Sequence, residues 1–147
     1  MKLIFVCSGN TCRSPMAECA FEDMLKKEGV EGVEVESRGV VAAVGKPISE
    51  NAVKALEKKG IPVKKDHVAT QITTDDILAA DLVICMTERH KMRLGCLPKV
   101  FTIAQLTGSM DVADPFGGDE ETYEKCLDEI IDDLKKLMPI IKRQLTL

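Results

Sequence analysis

The sequence lacks the long apolar run that a membrane-spanning helix requires, since no stretch approaches about 18 consecutive apolar residues. It also lacks basic clusters, repeats and low-complexity segments, and its formal net charge is −4. We therefore do not expect this chain to bind the phosphate backbone of nucleic acid. The first apolar run starts at Leu3 and predicts a strand, so we expect no signal peptide. We therefore expect a cytoplasmic protein without membrane or nucleic-acid partners.

The spacings of a metal site are missing as well. Six cysteines occur in 147 residues, but no pair of Cys or His has zinc-site spacing, so we expect no metal, and no motif indicates a cofactor. Without a signal sequence, the cysteines indicate reduced thiols rather than a disulfide framework. The length, with 45% hydrophobic and 30% charged residues, predicts a single globular domain over residues 1–147. We expect this domain to be a monomer.

Close to its start, the sequence contains a loop with the chemistry of a phosphate site. Residues 3–6 are apolar and predict a buried strand, and Pro15 suits the first turn of a helix. Between them lies the run Cys7-Ser8-Gly9-Asn10-Thr11-Cys12-Arg13-Ser14. Backbone N–H groups of a loop at a helix N-terminus point inward and bind anions such as phosphate. The run therefore predicts an anion site.

The side chains of this loop add a nucleophile to the anion site. Gly9 and Asn10 are residue types that readily adopt left-handed backbone angles. The positive field at a helix N-terminus favours the thiolate form of Cys7, which is the nucleophilic form. Arg13 presents a planar fork that matches two phosphate oxygens. Ser14 can donate its hydroxyl to the sulfur of Cys7, which would favour the thiolate further.

The loop and the following Pro15-Met16-Ala17-Glu18 resemble the phosphate loop of the low-molecular-weight protein tyrosine phosphatase family. Asp114-Pro115-Phe116 resembles the general-acid loop of that family, and the resemblance extends over essentially the whole chain. It implies a two-step mechanism through a phosphocysteine. Cys7 attacks phosphorus while Asp114 protonates the leaving group. Asp114 then takes a proton from the water that hydrolyses the intermediate.

The resemblance also implies roles for residues around these two loops. It places Asn10, Ser14, Ser37 and His67 in a hydrogen-bond network that holds the loop shape, so that His67 is a structural support. His90, in contrast, is expected to be a solvated helix residue. The residues expected to contact the substrate are Ser8, Gly9, Asn10, Thr11, Cys12, Ser14 and Phe116.

Thr11 bears on which phosphorylated side chain is the substrate. Tyrosine-directed family members usually carry isoleucine or leucine there, against the phenyl ring. A threonine hydroxyl can accept a hydrogen bond from a guanidinium N–H that an apolar side chain would leave unpaired. With Phe116 followed by Gly117, the chain is similar to the bacterial protein arginine phosphatase branch. We therefore expect phosphoarginine in proteins as the substrate, with an ordinary tyrosine phosphatase as the alternative.

A redox hypothesis concerns the second cysteine of the loop. Peroxide attacks thiolates, and Cys12 is five residues from Cys7 in the same loop. A Cys7–Cys12 disulfide would protect the nucleophile and make the enzyme redox-sensitive. The alternative is that Cys12 only fills space behind the loop.

Three other functions fit the sequence less well. A metal site at Cys7 and Cys12 lacks further ligands at zinc spacing. An arsenate reductase would need extra redox cysteines, and Cys85 and Cys96 lack the close spacing expected of such a pair. A phosphocarrier must keep its phosphocysteine, so Arg13 and Asp114 would serve no purpose there.

Strand and helix patterns alternate along the chain. Predicted strands cover residues 3–6, 33–37, 82–86 and 99–103, and predicted helices cover residues 15–28, 49–59, 74–80, 87–94 and 120–137. Pro139 is expected to kink or end the last helix. This alternation predicts a parallel three-layer α/β sandwich, with Cys7 beyond the carboxyl end of its strand. The resemblance implies a four-stranded sheet in the order 2-1-3-4 with helices on both faces.

Overall fold

Four parallel strands form the central sheet in a computed structural model that describes residues 1–95 and 97–147. The strands are β1 (Lys2–Cys7), β2 (Glu34–Gly39), β3 (Leu82–Cys85) and β4 (Val100–Thr102). The helices are α1 (Arg13–Lys27), α2 (Glu50–Lys58), α3 (Thr74–Ala79), α4 (Glu88–Leu94), α5 (Ile103–Thr107) and α6 (Glu120–Leu145). The sheet order is β2-β1-β3-β4 and each pairing is parallel, so the predicted topology is confirmed. Cys96, weighed above as a redox cysteine, lies outside the described residues.

β1 lies at the centre of the fold because its residues are apolar on both faces. Leu3 and Phe5 belong to the larger cluster of buried residues, whereas Ile4 and Val6 belong to the smaller one. The larger cluster includes apolar residues of α1, α2 and α6, and the smaller one includes Ile77 of α3. Since successive side chains of a strand point to opposite faces, helices cover both faces of the sheet. The fold is the expected three-layer sandwich.

The last helix continues past the point where a proline was expected to disturb it. α6 contains Pro139 and runs on to Leu145, so an end at residue 137 is wrong. Proline removes only one intrahelical hydrogen bond, while Leu137, Met138 and Ile141 on either side of it are buried in the larger cluster. Burial of these side chains outweighs the lost bond. Neither α6 nor any other helix of the described ranges is long and apolar enough to cross a membrane.

The predicted fourth strand is too long at its end, because Ile103 begins a short helix. The Thr102 side chain accepts a hydrogen bond from the Gln105 backbone N–H at 3.0 Å, and the Gln105 side chain accepts one from the Thr102 N–H at 2.9 Å. This reciprocal pair is a capping box, which satisfies two otherwise unpaired donors at the start of α5. Sequence analysis missed this helix, although the Thr-x-x-Gln spacing of a capping box could have indicated it.

The carboxyl end of β2 shapes the loop that follows β1. Gly39 is the register partner of Cys7 in the parallel pair β1–β2. A Cβ atom on Gly39 would lie 2.5 Å from the Ser8 carbonyl oxygen and 3.1 Å from the Asn10 backbone nitrogen. The loop therefore packs directly on the backbone of β2 at a point where only glycine leaves room for it.

We predict that Gly39→Ala displaces the loop and weakens the binding of inorganic phosphate by about tenfold or more, with a stability loss of about 1–3 kcal/mol from overpacking. Calorimetric titration with phosphate and urea denaturation measure the two effects. Phosphate affinity equal to that of the wild type would contradict the close packing.

Gly29→Ala is the matched control for lost stability. Gly29 has a φ of 67°, but a Cβ there would meet no atom within 4 Å. The strained φ costs about 1–2 kcal/mol. Because Gly29 lies at the far end of α1, this variant should lose stability without losing phosphate affinity.

Candidate active site

Residues 7–14 wrap around the N-terminus of α1 with their carbonyl groups turned outward. The carbonyls of Cys7, Ser8, Gly9 and Thr11 accept hydrogen bonds from the backbone N–H groups of residues 40, 41, 43 and 49, at 2.9–3.1 Å. The Asn10 carbonyl lies 2.9 Å from His67 Nε2. Within the described part of the chain, no hydrogen bond is donated by the backbone N–H groups of residues 8–14. These N–H groups are the donors left to bind an anion.

Asn10 fixes the turn of the loop. Its φ is 61°, so it adopts the left-handed conformation allowed for this residue type, whereas Gly9 does not. Its side-chain Nδ2 donates to Ser14 Oγ at 2.8 Å and to Ser37 Oγ at 3.0 Å, and Oδ1 accepts from the Thr70 N–H at 2.9 Å. Three hydrogen bonds from one buried side chain offset the strained backbone angle.

Cys7 lies at the floor of the site, 2% exposed, with its sulfur 2.9 Å from Ser14 Oγ. Ser14 Oγ already accepts a hydrogen bond from Asn10, and its own proton faces two acceptors. The Arg38 carbonyl is 3.3 Å away, which is farther than the sulfur. A thiolate at Cys7 would be the stronger and nearer acceptor, so the geometry allows Ser14 to donate its proton to the sulfur.

Arg13 connects the phosphate loop with the loop that carries Asp114. The side chain is 5% exposed, and its Nη1 donates to the Val112 carbonyl at 2.9 Å. Nη2 donates to Ser8 Oγ at 3.4 Å and lies 3.8 Å from Asp114 Oδ2. A buried guanidinium held on two sides is a fixed positive charge at the floor of the site.

Asp114 and Phe116 form the outer wall. The Asp114 side chain is 55% exposed, and its Oδ1 accepts a hydrogen bond from the Phe116 N–H at 3.1 Å. Phe116 is 80% exposed. The opposite wall includes Val41, which sequence analysis did not identify because it lies in an irregular segment after β2. The cavity between them has a volume of about 330 Å³ and is lined by Cys7, Ser8, Gly9, Thr11, Cys12, Arg13, Val41, Ala43, Asp114 and Phe116.

A buried carboxylate supports the loop from behind. Ser37 Oγ accepts from Asn10 and donates to Glu18 Oε1 at 2.6 Å. Glu18 is buried and also binds Lys64 Nζ, which reaches Glu22 as well. Burial lowers the pKa of Lys64, but its hydrogen bonds to the two glutamates raise that pKa above its ordinary value. The expected contacts of Ser37 and His67 are present, whereas sequence analysis missed Lys64 because its segment shows no periodic pattern.

His90 is not a solvated residue, so that expectation is wrong. It is 3% exposed, and its Nε2 lies 2.9 Å from Ser8 Oγ. It belongs to the first turn of α4, which begins at the same sheet edge as the phosphate loop because β1 and β3 are parallel neighbours. Burial and the charge of Arg13 lower the pKa of His90 to about 4.

The remaining cysteines of the described residues are buried free thiols. Cys12 lies behind the loop, with its sulfur 3.3 Å from Tyr123 Oη and 3.4 Å from Ser49 Oγ. Cys85 is a core residue of β3, as expected, and burial raises its pKa to about 12. Burial has the same effect on Cys126.

Comparison with known proteins agrees with this geometry. The family model described as low molecular weight phosphotyrosine protein phosphatase matches residues 2–147. A protein-arginine-phosphatase of Bacillus subtilis is 41% identical over 150 residues, which cover 97% of this chain and 98% of that protein. The low molecular weight protein-tyrosine-phosphatase PtpB of Staphylococcus epidermidis is 36% identical over 142 residues, which cover 93% of this chain and 96% of that protein.

A solved structure shows the same fold. It is described as the YwlE arginine phosphatase, a C7S mutant with a phosphorylated active site serine, and it superimposes with a TM-score of 0.89 at 40% identity. The superposition covers 97% of this chain and 96% of the other. Sequence, fold and loop geometry thus lead to one assignment: the chain belongs to the low molecular weight phosphotyrosine protein phosphatase family.

Proposed function

We propose that this protein is a cysteine-dependent phosphatase that hydrolyses phosphoarginine in proteins through a phosphocysteine intermediate. The observation that carries the proposal is the Cys7 sulfur, 2.9 Å from the Ser14 hydroxyl at the floor of a cavity whose walls hold Arg13 and Asp114. A nucleophile, a fixed cation and an acid therefore face the same small volume. No cofactor enters the proposed reaction.

In the first step, the Cys7 thiolate attacks phosphorus and the bond from phosphorus to the leaving nitrogen breaks. Asp114 gives its proton to that nitrogen, so that arginine leaves as a neutral guanidine that the solvent protonates. The inward N–H groups of the loop and the Arg13 fork hold the phosphoryl oxygens, whose charge they stabilise in the transition state.

In the second step, a water molecule attacks the phosphorus of the phosphocysteine and gives a proton to the Asp114 carboxylate. The sulfur–phosphorus bond breaks, which releases inorganic phosphate and regenerates the thiolate. The Ser14 hydroxyl at 2.9 Å stabilises the departing sulfur. The enzyme returns to its starting state with Asp114 protonated.

Thr11 supports arginine over tyrosine as the carrier of the phosphate. Thr11 lines the cavity, and among the described residues its Oγ1 has only a weak contact with the Cys12 sulfur at 3.6 Å, so it is available to accept from a guanidinium N–H. The carbonyl oxygen of the Asp114 carboxyl offers a second acceptor to the same group, and the exposed Phe116 ring offers a face for stacking. Relatives in the family include both a protein-arginine-phosphatase and a protein-tyrosine-phosphatase, so tyrosine dephosphorylation is the second candidate.

Two other functions fit the site poorly. Arsenate reduction needs an accessible second thiol, and Cys85 is fully buried in β3. A phosphocarrier has to protect its phosphocysteine from water, whereas here a half-exposed Asp114 faces the loop. Rapid release of inorganic phosphate from an aryl phosphate would exclude the carrier.

We also propose that the protein acts on phosphorylated proteins as a cytoplasmic monomer made of one domain, residues 1–147. A thiolate nucleophile requires a reducing compartment, and the described cysteines are free thiols. The two buried clusters lie on opposite faces of the same sheet, which supports a single domain. Gel filtration with light scattering tests the monomer.

Cys12 is the proposed redox partner of Cys7. Peroxide would oxidise the Cys7 thiolate to a sulfenic acid, and the Cys12 thiol would displace water from it to form a disulfide. Cys12 belongs to the same loop and is held by Tyr123 and Ser49 only through weak sulfur hydrogen bonds. Thiols would then reduce the disulfide and restore activity.

We predict a higher kcat/KM for a phosphoarginine peptide than for the matched phosphotyrosine peptide, and Thr11→Ile should lower the phosphoarginine value about tenfold or more. A tenfold loss is the size expected when the guanidinium loses its hydrogen bond to the Thr11 hydroxyl. Turnover of phosphotyrosine should be unchanged or faster, because isoleucine packs against a phenyl ring. Steady-state kinetics with both peptides measures the four values.

Thr11→Val is the matched control, since it keeps the shape of threonine without the hydroxyl, and Thr11→Ser keeps the hydroxyl. We expect Val to behave like Ile and Ser to behave like the wild type. If both substrates respond equally to every change, Thr11 does not select the substrate and tyrosine becomes the better assignment.

We predict that mild peroxide treatment links Cys7 to Cys12 and that dithiothreitol restores full activity. In Cys12→Ala, the nucleophile should instead proceed to the irreversible sulfonic acid. Mass spectrometry of digested protein identifies both products. Sulfonic acid on Cys7 of the wild type, without a Cys7–Cys12 link, would show that Cys12 only fills space behind the loop.

A further inference from the structure

His90 is buried against the phosphate loop, yet the proposed mechanism gives it no role. Its Nε2 lies 2.9 Å from Ser8 Oγ, and its backbone N–H donates to Thr87 Oγ1 at 3.3 Å. Its Nδ1 is the one buried side-chain nitrogen or oxygen without a hydrogen-bond partner among the residues that the structure describes. An apolar residue would fill this place without leaving a polar atom unpaired, so a histidine here calls for an explanation.

The unpaired nitrogen indicates which ring nitrogen carries the proton. A neutral histidine has one N–H and one bare nitrogen. A proton on Nδ1 would leave a buried donor without an acceptor, which is rarer in proteins than an unpaired acceptor. We therefore place the proton on Nε2, where it is donated to Ser8 Oγ.

Burial, with two nearby arginines, keeps the His90 ring neutral near pH 7. Burial and the positive charges of Arg13 and Arg89 lower the pKa of His90, while the carboxylates of Asp111 and Asp114 oppose them, and the result is about 4. His90 is thus a fixed donor rather than a proton shuttle.

This assignment determines how the Ser8 hydroxyl is used. A serine oxygen has two lone pairs and one proton. His90 Nε2 donates to one lone pair at 2.9 Å, and Arg13 Nη2 donates to the other at 3.4 Å. Because His90 and Arg13 both donate to the Ser8 oxygen, neither can accept the Ser8 hydroxyl proton. Ser8 lines the cavity, so this proton is available to a group bound there.

We propose that His90 is a positioning residue that directs the Ser8 hydroxyl proton to the phosphoryl group of the substrate and steadies the guanidinium of Arg13. The hydroxyl would add a side-chain donor to the backbone N–H groups of the loop. This inference deepens the proposed phosphatase function and rests on it for its effect on turnover, whereas its effect on phosphate binding can be measured alone.

Two substitutions of His90 separate positioning from packing. His90→Leu fills a similar volume but has no donor, and we expect the inhibition constant of inorganic phosphate to rise and kcat/KM to fall, each by about tenfold, the effect of one hydrogen bond to a charged group. His90→Gln can place an N–H near the position of Nε2 and should restore both values to within about threefold of the wild type.

Ser8→Ala completes the test, because His90 is proposed to act through Ser8. Ser8→Ala should weaken phosphate binding by about the same factor as His90→Leu, and the double variant should show no further loss. Thermal unfolding compares the stability of all variants. If His90→Leu does not fold, Ser8→Ala and His90→Gln still decide: a wild-type phosphate affinity in Ser8→Ala overturns the proposal.

Three other results would also overturn it: unchanged phosphate binding in folded His90→Leu, equal losses in the Leu and Gln variants, or additive losses in the double variant. Calorimetric titration with inorganic phosphate needs no turnover. The His90 variants could bind phosphate as predicted while the wild-type protein hydrolyses no phosphorylated peptide. In that case the proposed function fails and the positioning role stands.

Discussion

The whole site depends on hydrogen bonds that hold the carbonyl groups of residues 7–11 pointing away from the cavity. Once each carbonyl is held by a neighbouring N–H or by His67, the N–H groups of the loop have to face inward. Only a residue that tolerates a left-handed angle allows the chain to turn so tightly, and Asn10 both adopts that angle and holds it with three side-chain hydrogen bonds. The loop thus holds the donors of the candidate anion site in place by itself, and such donors would need no reorganisation around a phosphoryl group.

The polar network behind the loop has one direction. Lys64 donates to Glu18, Glu18 accepts from Ser37, and Ser37 accepts from Asn10, which also donates to Ser14. Because Ser14 Oγ accepts from Asn10, its own proton remains available, and it faces the Cys7 sulfur at 2.9 Å and the Arg38 carbonyl at 3.3 Å. Lys64 pairs with the buried carboxylate of Glu18, so the charge behind the loop is not left uncompensated.

The sequence predicted the phosphate loop and the alternating α/β organisation because both have local signals: an apolar strand, a Gly-Asn turn, a Pro at the start of a helix and alternating elements. The sheet order was implied only by the family resemblance, and the strand pairings confirm it. It did not predict the burial of His90, since a seven-residue helix carries too little periodicity to show which face is covered. That burial arises from the parallel pairing of β1 and β3, which brings two loops together. Lys64 was missed for a related reason, because its partners Glu18 and Glu22 lie 46 and 42 positions away in the sequence. The extension of α6 past Pro139 follows from packing rather than from propensity.

The covalent step is the centre of this account, and direct trapping of the intermediate tests it. Wild-type protein is mixed with a phosphoarginine peptide, quenched within one turnover under conditions that preserve phosphocysteine, and digested for mass spectrometry. We predict a phosphoryl group on Cys7 that forms before inorganic phosphate is released and decays at the rate of that release. Release of phosphate from the peptide while Cys7 stays unmodified at every time point would contradict the account.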